Sequence, residues 1–317
     1  MARIYNTRLL FIILLCIAVI VFTTISILQW VKLANEEYLY NNPKTLKRKL
    51  ATLPSDFNIE NIQRLKTSVD PLSFKFVVLG DSEGHHDVFG RILEGALSHN
   101  PDFIIHLGDL TEQGKLRHYV RELRFIKENV NVPFIAIIGN HDYYNKGNLS
   151  YAHLFGPLDF YFDIGSYRFI FIDNNFKDKV KPIVPLPGSD FGWKAVDGVY
   201  DETLEQLEGL MGGKSRNNLI FMHQPPAIGE WVERAFTKNR IEFMDLVTRE
   251  DMNVRYVCAG HMHGYDMKEV EGVKFIVSGG AGGTHKENAD AGVFAKYHYI
   301  LFEADDAGIS DTVYYLD

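Results

Sequence analysis

Cysteine is nearly absent: Cys16 and Cys258 are the only two, far apart and each set in an apolar run. That excludes a disulfide framework and a CxxC-type metal knot. No internal repeat is present, and the main body lacks any excess of positive charge. Residues 1–50 hold seven basic side chains against two acidic ones, so the net charge of −8 divides into +5 there and −13 over the rest. An acidic body disfavours nucleic acid as a partner held through broad, salt-dependent contacts. With 317 residues, 46% of them hydrophobic, the chain is rich enough in apolar side chains to bury a large core.

Charge is missing altogether from Leu9 to Leu28, where Thr23, Thr24 and Ser26 are the only polar interruptions. As a helix this run spans the roughly 30 Å of a bilayer core, so residues 9–28 read as a transmembrane anchor in contact with lipid, behind a short tail at 1–8. A cleaved signal peptide is the competing reading. It fits less well, because the run exceeds a usual signal core and Lys32-Leu33-Ala34 puts lysine where a small residue is needed. Arg3 and Arg8 favour an inward N-terminus, hence a single-pass protein with its main body on the extracytoplasmic side; Lys32 and the cluster Lys44, Lys47, Arg48, Lys49 pull the other way. Residues 29–72, polar and carrying Pro43, Pro54 and Pro71, read as a partly helical stalk before one domain at 73–317.

From Phe74 the periodicity changes. Phe74–Leu79, Phe103–Leu107 and Pro133–Ile138 are short apolar runs, each closing in a small residue and a polar one, with amphipathic helical patterns at Asp87–Ser98 and about Lys115–Glu128 between them. This predicts a right-handed βαβαβ arrangement. Beyond it, Tyr161–Ile164 and Arg168–Ile172 flank a tight turn as a hairpin. A helix over Asp201–Met211 stops at Gly212-Gly213, and further strands fall at Leu219–Met222, Val254–Cys258, Val273–Val277 and Tyr297–Glu303. Two packed mixed sheets covered by helices accommodate that order, and one continuous sheet also would.

The strand exits carry the chemistry. In order they present Asp81, Asp109, Asn140 with His141, His223, and His261 with His263. Carboxylate, amide and imidazole without thiolate suit a divalent cation bound by oxygen and nitrogen, and three histidines beside Asp and Asn point to manganese, iron or zinc.

Gly80-Asp81, Gly108-Asp109-Leu110-Thr111-Glu112, Gly139-Asn140-His141-Asp142, Met222-His223-Gln224-Pro225-Pro226 and Gly260-His261-Met262-His263 resemble, in order and spacing, the five motifs of the calcineurin-like metallophosphoesterases. The resemblance covers residues 74–283. It implies an α/β fold, a four-layer αββα sandwich of two mixed β-sheets, here preceded by an N-terminal transmembrane helix. It also implies two divalent metal ions and a metal-dependent phosphoric ester hydrolase, a phosphatase or phosphodiesterase, acting without a phospho-enzyme. By the same resemblance Asp81 and His263 ligate one metal, Asp109 bridges, Asn140, His223 and His261 ligate the second, and the unligated His141 is catalytic, with Asp142 a partner for its ring.

One position departs from the family pattern. Where Asp-x-His is usual, this sequence has Asp81-Ser82-Glu83, followed by Gly84-His85-His86. Three readings stay open: Glu83 ligates, His85 swings in, or the first metal has one ligand fewer. The departure motivates an alternative function, a non-catalytic metal- or ligand-binding domain of the same fold; the retained His141 argues for the enzyme. Other residues have plainer readings. His106 reads as a core or supporting histidine, His99, His118 and His153 as surface or packing residues, and His285 as part of a glycine loop. Tyr143, Tyr144, Trp193 and Trp231 are candidates for a substrate cleft, and Lys181–Gly192 and Ala281–Lys296 for specificity loops.

Overall fold

The computed structural model describes residues 2–175, 178–180, 194–196, 198–212, 216–232, 234–283 and 293–316. The chain divides into two compact units, Met1–Leu53 and Pro54–Asp317. The first holds helix α1 (Ala2–Asn41) and helix α2 (Pro43–Leu50). Within α1, Leu14–Lys32 is long and apolar enough to cross a membrane, and none of it is buried. Asn42 starts α2 by accepting the Thr45 amide at 3.2 Å, with Pro43 at the first helical position, where a missing N–H costs nothing.

The second unit opens with helix α3 (Phe57–Ser68), which lies inside the expected stalk yet packs with the sheets. Its Asn58 reads the edge of a strand as a second backbone would: Nδ2 donates to the Ala136 carbonyl at 2.8 Å and Oδ1 accepts the Ala136 amide at 3.1 Å. Strand β1 (Phe74–Leu79), helix α4 (His86–Leu97), strand β2 (Phe103–His106), helix α5 (Leu116–Asn129) and strand β3 (Phe134–Ala136) form the βαβαβ run. A 3₁₀ segment (His141–Lys146) and helix α6 (Gly147–Leu154) lead to the hairpin of β4 (Phe160–Ile164) and β5 (Tyr167–Phe171).

A small ribbon of β6 (Asp178–Val180) and β7 (Lys194–Val196) precedes helix α7 (Asp201–Met211), β8 (Asn217–Met222) and helix α8 (Arg240–Val247). Strands β9 (Val254–Ala259), β10 (Tyr265–Val270), β11 (Val273–Ser278), β12 (His298–Asp305) and β13 (Gly308–Tyr315) complete the chain. Of these, α6, β6, β7, α8, β10 and β13 are not anticipated by the periodicity.

Two mixed sheets result. One has the order β13-β12-β1-β2-β3, with β1, β2 and β3 parallel; the other runs β10-β11-β9-β8-β5-β4, with β11, β9, β8 and β5 parallel. Their facing sides make one aromatic core. Phe76 stacks on Phe103 at 5.1 Å within the first sheet and meets Phe169 of the second edge-on at 5.3 Å. A second core lies on the outer face of the β5–β8–β9–β11 sheet, where Leu207, Met211, Phe243 and Val247 from α7 and α8 pack on Ile220, Val257 and Phe275. Parallel strands buried on both faces read as unbroken apolar runs, and that is why their ends stand out in the sequence.

Candidate metal centre

The C-terminal ends of five parallel strands deliver the site, the edge at which α/β sheets place ligands. β1 gives Asp81 and Glu83, β2 gives Asp109, β3 gives Asn140 and His141, β8 gives His223, and β9 gives His261 and His263. The glycine before several of these residues is required by close approach. A Cβ on Gly139 would stand 2.2 Å from the Asp109 amide nitrogen and Oδ1, and one on Gly260 only 2.5 Å from Asp81 Oδ2. Asp81, Glu83, Asp109, His261 and His263 all have left-handed backbone, with φ of 61°, 46°, 51°, 70° and 49°. Non-glycine residues hold that conformation at a cost of order 1–3 kcal/mol each, so the surrounding packing enforces it, and such strain collects at functional sites.

Three ligand groups converge, and Asp109 belongs to all of them: Asp109 with His223 and His261, Asp109 with Asp81 and His263, and Asp109 with Glu83 and His141. Within each group the donor atoms lie no more than 4.8 Å apart. Asn140 joins the first through Oδ1, 2.9 Å from His223 Nε2. Glu83 Oε1 is 3.5 Å from His263 Nε2 and 3.6 Å from His141 Nδ1. The His85 ring instead turns away, its Nδ1 2.8 Å from the Gly282 carbonyl.

The donor set fits a cation. His223 Nδ1 lies 2.8 Å from the Leu107 carbonyl, which can only accept, so Nδ1 carries a proton and Nε2 is the ring atom that faces Asn140 Oδ1 and Asp109 Oδ2 and would turn its lone pair to a bound cation. Asp109 Oδ2 is buried and forms no hydrogen bond, although His223 Nε2 is 3.3 Å away. Lone pairs gathered in a dry pocket demand positive charge. Burial by itself would lower the His223 pKa, but the carboxylates of Asp109 and Asp81 overcome it and lift the ring to about 10. Burial likewise opposes ionisation of Asp109, yet His223, His141 and His261 hold it below the ordinary carboxylate range. Asp81 is pushed well above that range, chiefly by burial, and His261 well below the ordinary imidazole value by burial and then by the charge of His223.

The loop beyond β3 departs from one expectation. Asp142 does not pair with the His141 ring. Its carboxylate accepts the amides of Leu110, Thr111 and Gly139 and the Thr111 hydroxyl at 2.8–3.1 Å, tying the β2 and β3 exits together. Burial and the neighbouring Asp109 push Asp142 up to about 7, against those four hydrogen bonds that favour its anion. The His141 ring is oriented instead by the Glu112 carbonyl, 3.0 Å from Nδ1, while its amide donates to Asp109 Oδ1 at 2.7 Å.

His106 is fully buried with Nε2 3.1 Å from Ser82 Oγ, behind the site rather than in it. Tyr144 meets the His141 ring edge-on at 5.4 Å. Trp231 is fully buried in the core and is no cleft residue, because its indole N–H is spent on Asp266 at 2.9 Å. Trp193, His285, Lys181–Gly192 and residues 284–292 of the glycine loop lie outside the described residues.

Two features escape the sequence reading. At the exit of β5 three buried residues brace the site: Asp173 accepts from the Tyr143 hydroxyl and Asn175 donates to the Ile138 carbonyl, which holds the Asn140 loop, and Asn174 pairs with the Gln224 backbone beside His223. They end an apolar strand in polar residues, as the motif residues do, and that signature would have found them. Arg234, which lines the cavity beside His141 and His261, has no such signal.

Two mixed sheets with helices outside and an oxygen–nitrogen ligand set at converging strand ends make this an α/β domain with a candidate metal centre. The profile of the calcineurin-like phosphoesterases matches residues 74–265, more than half of the chain, and the protein belongs to that family. It is 28% identical over 183 residues to a probable cyclic nucleotide phosphodiesterase of Synechococcus, covering 56% of this chain and 62% of that one. It is also 28% identical over 227 residues to a probable glycerophosphodiester phosphodiesterase, GpdQ, of Arcobacter nitrofigilis, covering 68% and 76%. The chain thus spans less than two thirds of the Synechococcus protein's length. In fold it is similar to a dimetal phosphatase of Danio rerio, with a TM-score of 0.57 and 15% identity over 77% of this chain and 99% of that one.

Proposed function

We propose that the protein is a membrane-anchored hydrolase of a phosphomonoester or phosphodiester. The observation that carries this reading is that Asp109 belongs both to the group with His223 and His261 and to the group with Asp81 and His263, which suits a carboxylate shared between two cations. Asp81, Glu83 and His263 would hold one divalent ion and Asn140, His223 and His261 the other, from among manganese, iron and zinc. Bound there, the pair supplies hydroxide from water near neutral pH and positive charge for the attacking and leaving oxygens. Glu83 takes the place that a histidine has in the usual motif, since its carboxylate faces His263 while His85 is engaged elsewhere.

His141 has the remaining task. Its Nδ1 proton is committed to the Glu112 carbonyl, which leaves Nε2 to deliver a proton to the departing oxygen. Asp142 and the Asp173–Asn175 turn hold the loop that carries His141 in place. The apolar length of helix α1 supports an anchor, and Arg3 and Arg8 before it support a single pass with the hydrolase body outside the cytoplasm; the substrates would then be ones met at a membrane surface.

The test is metal content of the purified protein beside hydrolysis of an aryl phosphomonoester and an aryl phosphodiester with manganese added. About two metals per chain and hydrolysis abolished by a chelator are expected. Full metal content with no turnover on either ester, nor on a broader ester panel, would favour the binding-domain alternative.

A further inference from the structure

Resting on the phosphoesterase reading, the structure points to a residue that chooses between its two ester classes. The cavity above the ligand groups, about 370 Å³, is walled by the carboxylates Glu83, Asp109 and Glu112 and by the rings of His141, His261 and His263. Among the described residues that line it, Arg234 is the one permanently charged cation. It is half-buried, and among the described residues no hydrogen bond or ion pair engages its guanidinium.

Its placement is fixed by its neighbours. The loop from His223 to α8 is pinned on one side by Trp231, fully buried and bonded to Asp266, and on the other by Phe236, also buried, whose amide donates to the Pro225 carbonyl at 2.9 Å. Arg234 lies between these two anchors. These anchors set where the loop presents Arg234 to the cavity, and the side chain itself orders on binding.

The charge balance says what the guanidinium is for. Once cations sit on Asp81, Glu83 and Asp109, the exposed Glu112 still leaves the mouth of the cavity unfavourable to an anion. A diester phosphate brings one negative charge spread over two non-bridging oxygens. A monoester at neutral pH brings nearly two charges over three, one oxygen more than the diester offers. Arginine's planar fork suits that additional charged oxygen better than any other side chain.

We propose that Arg234 is the specificity-determining residue of the centre: its guanidinium pairs with the extra non-bridging oxygen of a phosphomonoester dianion, so that the site favours monoesters over diesters.

The experiment uses the full-length protein in detergent, loaded with manganese, and Arg234→Ala and Arg234→Lys beside the wild type. Titration calorimetry with inorganic phosphate and with dimethyl phosphate reads the anion preference without turnover. Arg234→Ala is expected to weaken inorganic phosphate about 10- to 100-fold, the size of a charge-assisted hydrogen bond, and dimethyl phosphate less than about threefold. Arg234→Lys should recover part of the loss, and metal content should not change. In hydrolysis, kcat/KM for the aryl monoester should fall by a similar factor while that for the diester holds.

Equal weakening of both anions, or phosphate binding within about twofold of wild type, would overturn the assignment. The two readings fail separately. Arg234-dependent phosphate binding without hydrolysis of either ester would sink the hydrolase and keep the anion contact. Hydrolysis of both esters with binding indifferent to Arg234 would sink this proposal alone.

Discussion

Asp109 Oδ2 and His223 Nε2 stand 3.3 Å apart in a pocket closed to solvent, and no hydrogen bond satisfies the carboxylate oxygen. The positive charge that Asp109 and Asp81 draw onto His223 answers part of that buried anion, and a cation at the centre would complete it. Asp109→Asn keeps the shape and removes the charge. Changing residues that merely orient metal ligands costs about 10- to 100-fold in affinity or activity, so losing a shared ligand should cost at least that. Elemental analysis should show a drop from about two metals per chain to one or fewer. Normal metal content with full activity would contradict the shared-carboxylate assignment.

His141 is held by two contacts that do not involve its Nε2, the Glu112 carbonyl and Asp109 Oδ1. His141→Ala should therefore leave metal content unchanged and lower turnover by about 10²- to 10⁴-fold, the usual worth of a positioned general acid. The loss should grow along a series of aryl esters as the leaving phenol becomes less acidic. A uniform loss across the series would assign His141 to binding instead.

How much of this was legible in the sequence follows from burial. The central parallel strands are covered on both faces, so Phe103 to His106 and Leu219 to Met222 read as unbroken apolar runs whose polar ends announce the site. The edge strands β10 and β13 give no such signal. Tyr265–Val270 alternates between half-exposed and exposed residues, and Gly308–Tyr315 is nearly as open, so neither resembled the interior strands. The partner of the His141 ring was hidden for another reason. Sequence adjacency suggested Asp142, but the 3₁₀ turn that starts at His141 sends that carboxylate back to the amides of the β2 exit. Arg234 lies in a loop whose course is set by Trp231 and Phe236, contacts that no local pattern encodes.

His106 gives the fold a specific response to acid. Burial holds its imidazole near 3, with Asp109 opposing and His223 adding to the shift, whereas the ring titrates near 6.5 when exposed. The unfolded chain then binds a proton that the folded one refuses. Stability from this residue is complete above about pH 6.5 and is lost as pH falls toward 3, at up to about 1.4 kcal/mol per pH unit. In metal-free protein, the urea-unfolding free energy of His106→Gln should fall less steeply between pH 6.5 and 4 than that of the wild type. Parallel profiles would mean that His106 is protonated in the fold.

Where the chain is cut should decide whether the hydrolase body survives without its N-terminus. The compact unit begins at Pro54, and α3 covers the edge of β3 through three contacts. These are the two Asn58 hydrogen bonds to Ala136 and the Phe134 amide donating to Asn61 Oδ1 at 3.2 Å. Leu65 of the same helix is buried in the core between the sheets. A chain starting at Pro54 should be soluble without detergent and as active as the full-length protein. A chain starting at residue 73, where the polar stalk was expected to end, loses those bonds, leaves buried backbone groups unpaired and opens an edge strand to pairing with other molecules. It should be less stable than the longer fragment by at least about 3 kcal/mol and prone to aggregate, as urea unfolding and light scattering would show. Equal stability of the two fragments would mean that α3 belongs to the tether and contributes nothing to the fold.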